Sequence, residues 1–182
     1  MFSLTDLALK IKSLPRRKST LLIAIDGRGG SGKNSLAEQL KQNLQNVTIV
    51  HLDDFAYPET DRDRLLKQVI LLLKKDKTAR YQRFDWGTKK LAEWHEIAPG
   101  GIVIIEGVST LHNVLNDYFD FRIWIECPPE VGFKRGLHRD KTEYKVDTTN
   151  DWINKWMPEE KTYVESQKPQ EKADYIVDGL VM

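Results

Sequence analysis

The stretch from Leu21 to Leu44 limits the folds open to this chain more than any other part of it. Leu21–Ile25 is a continuous apolar run, ended by Asp26 and Gly27. Gly27-Arg28-Gly29-Gly30-Ser31-Gly32-Lys33 follows at once and matches the pattern G-x-x-x-x-G-K. Leu36, Leu40 and Leu44 then recur at helical spacing. Strand, glycine-rich turn and helix in immediate succession are what the mechanism of that pattern requires. Glycines let the backbone wrap so that its N–H groups face phosphate oxygens, and the new helix aims its positive end at the same place. A glycine-rich turn carrying a surface lysine is the bland alternative, and it needs none of that flanking order.

The rest of the chain alternates strand and helix signals in the same manner. Val47–Val50 is a β-branched run, and residues 62–75 carry Leu65, Leu66, Val69, Leu72 and Leu73 at helical spacing. Ile102–Ile105 is the most apolar run, announced by Pro99-Gly100-Gly101; Phe121–Glu126 is stopped by Pro128 and Pro129; Tyr175–Val177 closes the series. Apolar strands separated by helices imply a parallel sheet covered on both faces. The expectation is an α/β, three-layer fold of about five parallel strands, with its ligand site beyond their carboxyl ends. Residues 74–90 read as the least regular loop. Residues 61–90 hold ten basic side chains, whose plainest reading is a solvated helix face.

At 182 residues the chain fits one domain, 1–182. Its 28 basic and 27 acidic residues leave a net charge of +1, which argues against nucleic acid or an acidic membrane as the main partner. The single cysteine, Cys127, makes neither an internal disulfide nor a cysteine-based zinc site, so a cytoplasmic setting is expected. No stretch approaches the roughly 20 apolar residues of a membrane helix. Leu4, Leu7, Ile11 and Leu14 point instead to an amphipathic helix within residues 1–18.

Four clusters carry chemistry. Gly27, Gly29, Gly30, Ser31, Gly32 and Lys33 would hold a polyphosphate, with Lys33 reaching the β- and γ-phosphates. The position after Lys33, where a Ser or Thr hydroxyl ligates magnesium, is Asn34, followed by Ser35. An asparagine carbonyl binds hard cations but differs from a hydroxyl in reach and bulk. Asp53 and Asp54, after the second strand, are placed to take a proton from a substrate hydroxyl and to help hold the metal. Glu106, ending the most apolar strand, is a further metal candidate beside Asn34 and Asp53. Arg135 and Arg139, with Lys134 and His138, can neutralise charge on a transferred phosphoryl group.

Ile25-Asp26-Gly27 through Lys33, Asp53-Asp54-Phe55, Ile104-Ile105-Glu106-Gly107 and the basic segment ending Arg139-Asp140 resemble the uridine kinase and nicotinamide riboside kinase group of P-loop small-molecule kinases. Trp156-Met157-Pro158 followed by Tyr163 is similar to the stretch after the lid in riboside kinases. The resemblance covers about residues 20–180. It implies a P-loop NTPase fold, ATP and Mg2+ as cofactors, Asp53 as general base, a lid at about 130–145, and a nucleoside-like small-molecule acceptor. The family binds its acceptor between strand 2 and the segment that is here residues 80–86. Tyr57, Tyr81 and Trp86 would then offer stacking faces, and Asp54, Arg83 and Asp85 hydrogen bonds. Aromatics that only pack the loop are the alternative.

Two rivals follow from single features. Asn154-Lys155-Trp156-Met157 starts like a guanine-reading N-K-x-D motif, but Met157 stands where the aspartate belongs. Asn34 itself raises the second rival, a nucleotide-binding protein with weak or lost turnover. The sequence leaves the acceptor, the choice of ATP over GTP, and the oligomeric state, a homo-oligomer included, open.

Overall fold

The computed structural model describes residues 3–55 and 61–181. Its centre is a five-stranded sheet made of β1 (Thr20–Gly27), β2 (Val47–His51), β5 (Gly101–Glu106), β6 (Phe121–Glu126) and β7 (Tyr175–Asp178), in the order β2-β5-β1-β6-β7. Every pairing in it is parallel. β1 lies in the middle and is buried along its whole length. That explains its unbroken apolar sequence, since a strand covered on both faces has no solvent side for polar residues.

The two faces carry separate cores. Helices α1 (Leu4–Lys12) and α2 (Lys33–Asn43) cover one, where Leu7, Ile11, Leu36 and Leu40 meet Leu21, Ile23 and Ile25. The other packs the helical run α3, residues 62–73, onto Leu22, Ala24, Val103 and Ile105 through Leu65, Val69, Ile70 and Leu73. Each such side chain, fully buried, contributes about 1.5–3 kcal/mol. The middle of α3, Leu66–Ile70, is a π-turn. Helix α4 (Asn113–Asn116) follows β5, and α5 (Pro129–Thr142) follows β6. The run α6, residues 149–167, contains a second π-turn at Trp152–Trp156; α7 (Pro169–Lys172) leads into β7.

Three expectations need correction. The amphipathic helix ends at Lys12 and does not run to residue 18, because Pro15 has no N–H to donate and disfavours the helical conformation in the residue before it. Residues 74–90 are not an irregular loop: β3 (Ala79–Asp85) and β4 (Lys90–Ile97) form an antiparallel hairpin that shares no strand with the main sheet. The basic residues of that region are mostly paired and do not form one solvated helix face, with Lys74 on Asp120, Arg80 on Glu96 and Arg83 on Glu93. Among the described residues no helix is long and apolar enough to cross a membrane.

Candidate functional site

The carboxyl ends of β1, β2 and β5 converge, and each contributes chemistry. β1 runs into the glycine loop and α2 begins at Lys33, capped by Gly32 in a left-handed conformation with no side-chain cap. The amides of Gly30, Gly32, Lys33 and Asn34 have no partner among the described residues. The hydroxyl of Ser31 is buried and likewise without one. Lys33, itself buried, folds back and donates to the carbonyls of Gly27 at 3.0 Å and Arg28 at 2.8 Å. A concave row of unmatched donors beside a buried cation fits a polyphosphate. Asn34 and Ser35 are both exposed on the first turn of α2.

Two glycines permit a close approach. Gly30 has φ +68°, and a Cβ there would lie 2.0 Å from the carbonyl oxygen of Gly132 in α5. Gly132 in turn faces the Gly29 carbonyl, and Gly136, one turn on, faces the ring of Trp152. Helix α5 therefore lies flush against the loop, backbone to backbone.

A short 3-10 turn, Leu52–Phe55, follows β2 and presents Asp53 and Asp54. Asp53 reaches solvent from a recess; the surrounding protein strips part of its hydration and Glu106 repels it, so its pKa rises above the ordinary 3.8. Lys33, His51 and Arg139 pull in the opposite direction, which puts all three groups within electrostatic reach of Asp53. Glu106 is buried, and its carboxylate meets Nδ1 of His51 at 2.6 Å. That bond raises the His51 pKa, against the effect of burial. His51 had no sequence signal beyond lying two residues before Asp53. Among the described residues no group of three or more metal-ligating side chains stands together. A metal shared with phosphate oxygens needs only one or two carboxylates, so Asp53, Glu106 and the Asn34 carbonyl fit magnesium on a polyphosphate.

The two arginines expected in a lid separate. Arg139 reaches the site, held by the buried Asp140 at 2.7 Å. Arg135 donates to the carbonyl of Gly179 at 2.6 Å, after β7. The acceptor candidates separate too. Asp54 lies beside Asp53 and accepts from the Tyr81 hydroxyl at 3.1 Å; burial pushes its pKa up. The Tyr81 ring is buried between Phe55 and His95, at centroid distances of 4.8 and 5.3 Å, so it has no free stacking face. Arg83 is held by Glu93 and Asp85, and Asp85 caps the hairpin turn by accepting from Thr88 N–H. Trp86 is exposed and meets Phe84 edge-on. Tyr57 lies outside the described residues.

Sequence reasoning also missed Asp26. Fully buried, it accepts from the amides of Gly27, Ser109 and Leu111 and from the Tyr163 hydroxyl at 2.6 Å. It ties the start of the loop to the turn after β5, and its burial outweighs those donors to raise its pKa.

A parallel sheet with a phosphate loop after β1, acids after β2 and β5, and an arginine from the helix after β6 define a P-loop kinase. The sequence profile of the phosphoribulokinase/uridine kinase family matches residues 51–181, and the chain belongs to that family. Uridine kinases of Staphylococcus aureus, among them those of strains Newman and Mu50, are 26% identical over 147 residues, covering 69% of this chain and 71% of theirs. A possible uridine kinase from Bacillus stearothermophilus has the same fold, with a TM-score of 0.75 at 23% identity over 96% of this chain and 97% of its own. A candidate kinase of a fructose transport system from Silicibacter sp. TM1040 follows, at TM-score 0.67 and 19% identity, covering 97% and 99%.

Proposed function

We propose that this kinase transfers the γ-phosphate of ATP to a hydroxyl of a nucleoside-like small molecule, with Asp53 as general base. The observation that carries the reading is the setting of Asp53. It is open to solvent yet partly desolvated, and it is flanked by Lys33, Glu106 and Arg139. A carboxylate whose pKa is raised is a better base than a free one. Asp53 accepts the hydroxyl proton as the acceptor oxygen bonds to phosphorus and the bond to the leaving diphosphate breaks. Lys33 leaves the Gly27 and Arg28 carbonyls and, with Arg139, stabilises the charge on the transferred group. Asp53, Glu106 and Asn34 are the residues that would hold magnesium, which neutralises phosphate charge when bound. Arg135 has a holding part, fastening α5 to the turn after β7.

Acceptor recognition falls to Asp54 and the β3–β4 hairpin, where Trp86 offers the one exposed ring among the candidates placed there. The name of the Staphylococcus aureus relatives and the family description support a nucleoside among such acceptors. Coupled ADP release with magnesium-ATP across a panel of nucleosides and small alcohols tests the reading. Nucleoside-dependent release that disappears in Asp53→Asn supports it; release from no member of the panel overturns it.

A further inference from the structure

The phosphate loop holds itself only in part, through Lys33 on the Gly27 and Arg28 carbonyls and the Ser31 N–H on the Arg28 carbonyl. Four of the seven residues from Gly27 to Lys33 are glycine, and glycine loses more conformational freedom on ordering than any other residue. Something outside must fix such a loop if binding is not to bear that cost. Besides the backbone of α5 at Gly132, the residues that reach it come from α6, far away in sequence. Oε1 of Glu160 accepts the Gly29 N–H at 2.8 Å, and the Tyr163 hydroxyl donates to Asp26 at 2.6 Å. Three positions apart, these two side chains share one face of the helix. Trp152, in the π-turn of the same helix, presses its ring on Gly29, where a Cβ would lie 2.5 Å from Cη2. Its indole N–H donates to Asp140 at 3.0 Å, and Asp140 holds Arg139. Glu160 is buried, and the charged groups around it are Arg28 and Lys33 of the loop and Asp26 below it.

We propose that Glu160 is a positioning residue of the phosphate loop: it commits the Gly29 amide, fixes the turn, and so leaves the amides of Gly30, Gly32, Lys33 and Asn34 converging on a phosphate. Through Trp152 and Asp140 the same helix sets the loop in register with Arg139. What matters at position 160 is an acceptor at the right reach, because the partner is an amide; the negative charge stands against the incoming phosphates and is tolerated through Arg28 and Lys33. The inference rests on the reading of the loop as the phosphate site.

Binding of ATP and of inorganic tripolyphosphate, measured by calorimetry on the full chain at a temperature where circular dichroism shows each variant folded, separates reach from charge. Glu160→Gln keeps the oxygen and loses the charge; Glu160→Asp keeps the charge and falls short by one methylene. Glu160→Ala loses both. Wild type and Glu160→Gln should bind each ligand within threefold of each other. Glu160→Asp and Glu160→Ala should bind at least about tenfold more weakly, the scale of one lost hydrogen bond, and by the same factor for both ligands. Should Glu160→Ala fail to fold, Glu160→Asp decides alone. Binding within threefold of wild type in Glu160→Asp, or a tenfold loss in Glu160→Gln, overturns the inference. Wild type binding neither ligand would overturn the phosphate-site reading beneath it.

Discussion

Gly30→Ala is the substitution whose consequences the structure specifies most closely. Alanine at φ +68° leaves the region L-residues prefer, at about 1–2 kcal/mol. Its Cβ would also lie 2.0 Å from the Gly132 carbonyl oxygen, and an overlap of backbone with no rotamer to escape into costs about 1–3 kcal/mol. Together these come to about 2–5 kcal/mol, or roughly 4–20 °C in Tm for a domain of this size. Gly132→Ala is the informative companion. Its Cβ would lie 2.4 Å from the Gly29 carbonyl, but position 132 is helical and alanine recovers up to about 1 kcal/mol of propensity there. Its net cost is therefore about 0–2 kcal/mol. Both overlaps are relieved by one movement, α5 shifting off the loop, so the double variant should cost less than the sum by about 0.5–3 kcal/mol. Urea unfolding followed by circular dichroism, with unchanged m-values, measures all three. Gly30→Ala within about 0.5 kcal/mol of wild type, or strict additivity in the double variant, would refute the reasoning.

Two other expectations concern the acids and the magnesium position. Asp53→Asn should lower turnover roughly 10²–10⁴-fold; full loss in Asp54→Asn with Asp53→Asn active would move the base by one residue. Because the Asp53 pKa is raised, wild-type turnover should climb as pH rises through that pKa. The stability linked to its protonation is present below the ordinary 3.8 and lost as pH rises through the folded value. Asp53→Asn should accordingly melt higher than wild type at neutral pH, an advantage that disappears at about pH 3; equal melting temperatures across that range would contradict the assignment. Asn34→Ser should raise turnover at least tenfold, about 1.4 kcal/mol of barrier, since a hydroxyl meets octahedral magnesium better than a longer carboxamide. Steady-state rates at saturating magnesium check this, and an unchanged or lower rate would show the carboxamide serving magnesium as well as a hydroxyl does.

The parallel sheet was legible because burial on both faces forces continuous apolar runs such as Leu21–Ile25 and Ile102–Ile105. The hairpin was not. β4 is largely exposed, with only Ile97 fully buried, and a register shift between Gln82 and Phe84 breaks the alternation of β3. The loop, Asp53 and Glu106 were readable because each sits in a local motif at a strand end. Glu160, Tyr163 and Trp152 were not, since their partners lie more than a hundred residues away along the chain or meet them through ring packing. Periodicity reports which face of a helix is buried and is silent on what lies against it. The separation of Arg135 from Arg139 has the same origin: helical spacing makes them neighbours, and only the fold shows that one turns to Gly179.

The two sheets share no strand, and that division has an evolutionary consequence. Among the described residues β3 and β4 pair only with each other, so a residue inserted in the hairpin displaces no register in the strands that carry the loop and Glu106. The hairpin's tie to the centre lies at its base, where Tyr81 meets Phe55 and Asp54, Ala79 and Ile97 join the core beneath α3, and Arg64 donates to the Gln82 carbonyl. Changes at its tip, around Trp86 and Asp85, can accumulate without cost to phosphate handling. If the hairpin reads the acceptor as proposed, a lineage built this way can exchange one acceptor for another while its phosphate-transfer half stays fixed, and divergence in what is phosphorylated should concentrate in residues 79–97.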